Sequence, residues 1–161
     1  MHKNLVLEEC VERERYKLGA IDSVVARLLM PYWRVGVIYA FSGEVGAGKT
    51  TILKALLRQA GGIEDVVSPT YAYFCQYVTA EGLNIYHFDL YRVGSMQTFC
   101  EMEFDFLLKD PKNVVVIEWP GVIDSVLNER DLVDRVVRVD LRYGLLPLGG
   151  RLVSVAYFAK K

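Results

Sequence analysis

Eight consecutive residues, Gly43-Glu44-Val45-Gly46-Ala47-Gly48-Lys49-Thr50, spell the pattern G-x-x-x-x-G-K-[ST]. Glycines at these spacings let successive backbone N–H groups turn inward around phosphate oxygens, and a helix opening at Lys49 adds the positive end of its dipole. The expected chemistry is nucleotide binding. Gly43 through Thr51 surround the phosphates, Lys49 reaches the β- and γ-phosphates, and the Thr50 hydroxyl is offered to Mg²⁺. Phosphoryl transfer at such a site also needs a carboxylate near the metal and a group that places the attacking water. Glu118 closes the apolar run Val114-Val115-Val116-Ile117, and Asp89 lies in His87-Phe88-Asp89-Leu90-Tyr91-Arg92. Both fall at the carboxyl ends of candidate strands, where open α/β sheets hold their ligands. The plain alternative for each is an exposed strand-end residue or a helix-cap acceptor. Which of the two meets the metal stays open. His87 can be read as a proton-transfer group, but a strand histidine with an ordinary hydrogen bond is the preferred reading. Arg92 is a partner for Asp89, a phosphate contact, or one half of a surface ion pair.

The elements that must position these residues follow from hydrophobic spacing. Residues 18–29 carry Leu18, Ile21, Val25, Leu28 and Leu29 on one face of a helix that Pro31 ends. Residues 35–42 form an almost wholly apolar, β-rich run that predicts a strand buried on both faces. The glycine loop comes next, then a helix over residues 49–60 with Ile52, Leu53, Leu56 and Leu57 on its stripe, ended by Gly61-Gly62 in a left-handed cap. Residues 71–77 and 83–90 predict an antiparallel hairpin turned at Glu81-Gly82. A second helix is expected over residues 97–108, with Phe99, Met102, Phe106 and Leu107 inward and Asp110-Pro111 as its stop. Residues 114–117 predict a further buried strand, and 136–141 with 152–158 a terminal hairpin broken at Gly149-Gly150. The predicted fold class is α/β. It is a P-loop NTPase-like mixed sheet with parallel core strands and antiparallel hairpins, flanked by helices.

The chain has 161 residues, 52% of them hydrophobic and 24% charged, which predicts one domain over 1–161 with a charged N-terminal extension at 1–17. Its 19 basic and 20 acidic side chains leave a net charge of -1, against a dedicated polyanion-binding surface. Cys10, Cys75 and Cys100 are scattered and odd in number, so neither a disulfide framework nor a zinc site is expected. With no apolar run of membrane-spanning length and a mixed-charge beginning, a cytoplasmic protein without membrane contact is the expectation.

Four segments, taken together and in order, resemble the TsaE (YjeE) ATPases of tRNA threonylcarbamoyladenosine (t6A) biosynthesis. They are Gly43-Glu44-Val45-Gly46-Ala47-Gly48-Lys49-Thr50-Thr51, Ser68-Pro69-Thr70-Tyr71, His87-Phe88-Asp89-Leu90-Tyr91-Arg92 and Ile117-Glu118-Trp119-Pro120. The resemblance covers residues from about 18 to 151. It implies a Mg²⁺-dependent ATP hydrolase, slow on its own, in which Lys49 holds phosphate, Thr50 and Glu118 serve Mg²⁺, and Asp89 joins the metal and water network. It further implies that Thr70 senses the γ-phosphate from a switch-like loop and that Trp119 lies near the nucleotide. The implied partners are TsaD and TsaB, whose complex transfers threonylcarbamoyl to adenosine 37 of tRNAs reading ANN codons. Contact with tRNA would be indirect. Two departures stand out: Arg15 precedes Leu18-Gly19 where a small or hydroxyl residue is usual, and Glu103 replaces a glycine common after the YR motif.

Two other readings compete. In a small P-loop kinase, the arginines of residues 128–142 would form a lid over an acceptor. In an ATP-gated binding module, nucleotide would only fix the shape presented to a partner, because Lys49 and Thr50 serve binding and hydrolysis alike.

Overall fold

The computed structural model describes residues 7–69, 71–144 and 150–160, the side chains of residues 7, 8, 10 and 158–160 excepted. Thr70 and the apolar stretch 145–148 lie outside these residues. Seven strands share one sheet: β1 (Leu7–Tyr16), β2 (Ile38–Gly43), β3 (Phe74–Val78), β4 (Asn84–Asp89), β5 (Val114–Glu118), β6 (Val136–Tyr143) and β7 (Arg151–Lys160). Their spatial order is β1-β7-β6-β2-β5-β4-β3. The four central strands β6, β2, β5 and β4 are parallel, while β3, β7 and β1 join antiparallel. This is the mixed sheet with a parallel centre that the sequence predicts.

Alternation along the parallel strands explains why their sequences are apolar throughout. In β2, Tyr39 and Phe41 point into one core layer with Val116 of β5, and Ile38 and Ala40 point into the other with Val115 and Ile117. The first layer is roofed by α1 (Ile21–Leu28) and α2 (Lys49–Gly61) through Val24, Val25, Ile52, Leu53, Leu56 and Leu57. The second is covered by α3 (Met96–Glu101), α4 (Asp105–Lys109) and α5 (Asp124–Leu127), with Phe99, Leu107, Leu108 and Leu127 buried. Each such side chain, fully removed from water, contributes about 1.5–3 kcal/mol before entropy is charged. The Tyr39 hydroxyl, buried beneath α1, donates to the Leu29 carbonyl at 2.8 Å. None of the helices among the described residues is long and apolar enough to cross a membrane.

Three expectations are corrected. The charged N-terminal stretch is an edge strand, β1, laddered against β7 over Leu7 to Tyr16. Its sequence lacks an apolar stripe because only one face touches protein, and that face is largely polar: Glu12 accepts from the Tyr32 hydroxyl at 2.7 Å, Glu14 pairs with Arg27, and Tyr16 alone joins the core. The helix expected over residues 97–108 is two short helices, α3 and α4. The break falls at Glu103, whose φ of 57° lies in the left-handed region. Phe106 consequently turns outward, 62% exposed, and Leu108 takes the inward place. The strand expected over residues 71–77 begins only at Phe74, after a turn in which Tyr73 has φ 65°.

The position that departs from the family's glycine is therefore the one whose backbone favours glycine. Replacing Glu103 with Gly removes a steric cost of about 1–2 kcal/mol, partly offset by about 0.5–1 kcal/mol of lost chain entropy. The Glu103→Gly protein should melt about 1–4 °C higher and Glu103→Val lower than the parent, by thermal unfolding followed with circular dichroism.

Candidate functional site

The site lies at the carboxyl end of the parallel strands. The glycine loop leaves β2 at Gly43 and feeds α2, whose N-cap is Gly48 with φ 102°, a conformation L side chains rarely adopt. Gly43 is constrained more tightly, since a Cβ there would stand 2.2 Å from the Leu141 carbonyl oxygen of β6. No side-chain acceptor caps α2, so its first N–H groups are turned to the cleft and to whatever anion enters it.

Register then sets the opposite wall. Asp89 of β4 is level with Glu118 of β5, and Glu118 is level with Phe41 of β2. Both carboxylates are thereby placed beside the loop, buried at 6% and 3% exposure. The Thr50 hydroxyl donates to Glu118 Oε2 at 2.7 Å, joining the first turn of α2 to the end of β5. Glu118 Oε1 meets His87 Nε2 at 3.0 Å, and His87 is wholly buried. The carboxylate accepts, so Nε2 is the donor, and the buried Nδ1 has no hydrogen-bond partner. Asp89 accepts the Tyr91 backbone N–H at 3.0 Å and the Ser68 hydroxyl at 3.5 Å.

Lys49 is 5% exposed, and its ammonium donates to the carbonyls of Gly43 and Glu44 at 2.8 Å each, beneath the Trp119 ring at 3.7 Å. Burial pushes its pKa below the usual lysine range, while Glu118 and Asp89 oppose that shift and hold the charge. Trp119 reaches over Lys49 because its own backbone is left-handed, φ 61° and ψ 53°, immediately after the strand. Its N–H still donates to the Phe41 carbonyl at 3.1 Å, so the turn begins without loss of the β2–β5 ladder. Strain of this kind at a cleft wall marks a position held for its side chain. Together Val45, Gly46, Gly48, Lys49, Thr50, Thr51, Ser68, Asp89, Tyr91, Glu118 and Trp119 line a cleft of about 380 Å³.

The structure thus gathers Val45, Gly46, Gly48, Lys49, Thr50, Thr51, Asp89, Glu118 and Trp119 from the residues singled out in the sequence. Gly43 and Glu44 contribute carbonyls to Lys49, and Ala47 is buried in the core behind the loop. Arg92 is not in the lining: it is exposed and stacks on the Tyr71 ring at 4.5 Å. Thr70 lies outside the described residues. Tyr91, whose ring packs on Trp119 at 4.9 Å, and Ser68 are additions that sequence reasoning missed, although both belong to segments it had marked. Thr50, Glu118 and Asp89 are oxygen donors on the cleft wall, the class of group that could hold a hard cation.

Comparison with known proteins gives the chain its relatives. The family model described as TsaE, threonylcarbamoyl adenosine biosynthesis protein TsaE, matches residues 18–143. The tRNA threonylcarbamoyladenosine biosynthesis protein TsaE of Treponema pallidum is 31% identical over 147 residues, 91% of this chain and 98% of that protein. The proteins of the same name from Borreliella burgdorferi and Haemophilus influenzae are 37% and 35% identical over 58% and 65% of this chain. Those matches span 66% and 65% of the two relatives' own lengths. The crystal structure of Bacillus subtilis YdiB shares the fold, with a TM-score of 0.64 over 94% of this chain and 87% of that one at 19% identity.

Because His87 is the donor to a buried carboxylate, His87→Leu should lower stability by about 2–3 kcal/mol and the melting temperature by about 4–12 °C. His87→Gln, whose amide can still donate, should recover at least half of that loss in the same melting experiment.

Proposed function

The chain belongs to the TsaE family, and from that premise we propose that it is a Mg²⁺-dependent ATPase serving the TsaD/TsaB complex in threonylcarbamoylation of adenosine 37 of tRNAs reading ANN codons. The observation that carries the ATPase reading is the Thr50–Glu118 hydrogen bond, which joins the glycine loop to a buried carboxylate across the cleft.

In this reading the N–H groups of residues 46–51 take the phosphate oxygens, and Lys49 exchanges its two carbonyl contacts for the β- and γ-phosphates. Thr50 and Glu118 would hold Mg²⁺, with Asp89 beside them, and the ion when bound neutralises charge on the terminal phosphates. Asp89, tied to Ser68 ahead of the switch-like loop, orients the water whose oxygen bonds to the γ-phosphorus as the bond to the β,γ-bridging oxygen breaks. His87 fixes the rotamer of Glu118 from the strand side. ATP and ADP must then favour different partner affinities, since a ligand binding both states equally shifts nothing. Control of the partner complex is consistent with a near-neutral chain that leaves tRNA phosphates to others.

Three of the four arginines in residues 128–142 are committed elsewhere. Arg135 donates to the carbonyls of Gly36, Lys109 and Asp110, Arg138 to Asp124 and Asn128, and Arg142 to Asp140. Residues 136–143 form an interior strand, so they cannot fold over an acceptor.

Phosphate release from ATP, measured alone and with TsaD and TsaB, should be stimulated by the partners and lost in Lys49→Ala. Glu118→Gln should lower it at least about 100-fold, the scale of losing one group that stabilises transition-state charge. ATP-dependent complex formation with no release would instead favour the gated module, and absence of both would sink the ATPase reading.

A further inference from the structure

The sheet continues past the glycine loop on the side away from the carboxylates, and there three strands align Tyr143 of β6, Arg151 of β7 and Tyr16 of β1 in one row. The row abuts the loop. The Tyr143 hydroxyl donates to the Val45 carbonyl at 3.0 Å, and Arg151 Nε stands 3.4 Å from where a Cβ on Gly48 would lie. The Tyr16 hydroxyl is 4.0 Å from that same point. Arg151 is braced by the Tyr143 ring, 5.0 Å from its Cζ.

What distinguishes Arg151 is a buried nitrogen with no acceptor. Its Nε is buried and donates to nothing, and none of the ion pairs among the described residues includes it. An unpaired cation beside a helix N-terminus meets the like-signed end of the dipole, an arrangement that is unfavourable until a negative group arrives. Two other basic side chains near the loop are occupied: Arg142 holds Asp140, and Lys49 holds two carbonyls. With terminal phosphates between Lys49, Thr50, Asp89 and Glu118, on the β5 and β4 side, a nucleotide that runs across the glycine loop would carry its remaining phosphate toward the β6, β7 and β1 side. Gly46 and Gly48 line the cleft and also touch this row, so the two regions are continuous.

We propose that Arg151, held by Tyr143 and Tyr16, binds the nucleotide at its α-phosphate, from the side of the glycine loop opposite the carboxylates. This rests on the ATPase reading for the placement of the terminal phosphates.

The test is titration of the full chain with Mg-ADP by calorimetry, with melting of each unliganded variant alongside. Arg151→Met should weaken ADP binding at least about tenfold, as for loss of a charged hydrogen bond, while the unliganded protein melts at the parental temperature or above. Arg151→Lys, which keeps the cation, should remain within a few-fold of the parent. Parental affinity in Arg151→Met, with binding abolished in Lys49→Ala, would overturn the inference and leave the phosphate-loop reading standing. A loss of melting temperature that tracks the loss of affinity in both Arg151 variants would reduce Arg151 to a brace for the loop and overturn it also. No ADP binding by the parent chain would remove both readings together.

Discussion

The parallel pairing of β2 with β5, and of β5 with β4, is the constraint on which the rest depends. It levels Phe41, Glu118 and Asp89 across three strands, so that the chain leaves the sheet at the same edge three times. At the first exit the glycine loop turns into α2, and at the other two a carboxylate is left facing that turn. A slip of one residue in either ladder would direct Glu118 or Asp89 into the opposite core layer, because side chains alternate faces. The apolar pattern forbids the slip. Tyr39 and Phe41, with Val114 and Val116, must go to one layer, and Ile38, Ala40, Val115 and Ile117 to the other. The hydrophobic core therefore sets the position of the polar site.

That placement puts charge where water is scarce. Lys49, His87, Asp89 and Glu118 are each no more than 6% exposed, and each is compensated by a specific partner. Glu118 is satisfied on both oxygens by Thr50 and His87, and Lys49 by two carbonyls and an aromatic face. In a low-dielectric pocket such contacts are stronger than at the surface and also more costly to leave unmade. The left-handed Trp119 belongs to the same arrangement, since a regular continuation of β5 would carry the ring away from Lys49.

Much of this was legible in the residues. The glycine loop, the strand before it, the helix after it and its left-handed end at Gly62 all follow from spacing and glycine placement, because each is a local preference that the tertiary structure keeps. That the charged N-terminal extension forms β1 was not legible, since a strand whose inward face is Glu12, Glu14 and Tyr16 carries no apolar alternation. Nor was the break in the helix after Met96. Periodicity across Phe99, Met102, Phe106 and Leu107 favours one continuous helix, and only the unusual backbone at Glu103 divides it. In the site, sequence could mark Asp89 and Glu118 as strand ends but could not show that Thr50 and His87 take opposite oxygens of Glu118. Contacts between residues 31 and 68 positions apart are created by strand order, which composition does not encode.

Strand order also gives the glycine loop two unlike sides. On one, β5 and β4 end in acids; on the other, β6, β7 and β1 end in Tyr143, Arg151 and Tyr16. The glycine loop sits between them, touching Glu118 through Thr50 and touching Tyr143 through Val45. Movement of the loop is then resisted from both directions by hydrogen bonds of 2.7 and 3.0 Å, one to a buried carboxylate and one from an exposed phenol. The buried contact is the costlier to break, so the loop is held more firmly to the acidic side and parts more readily from Tyr143 of β6.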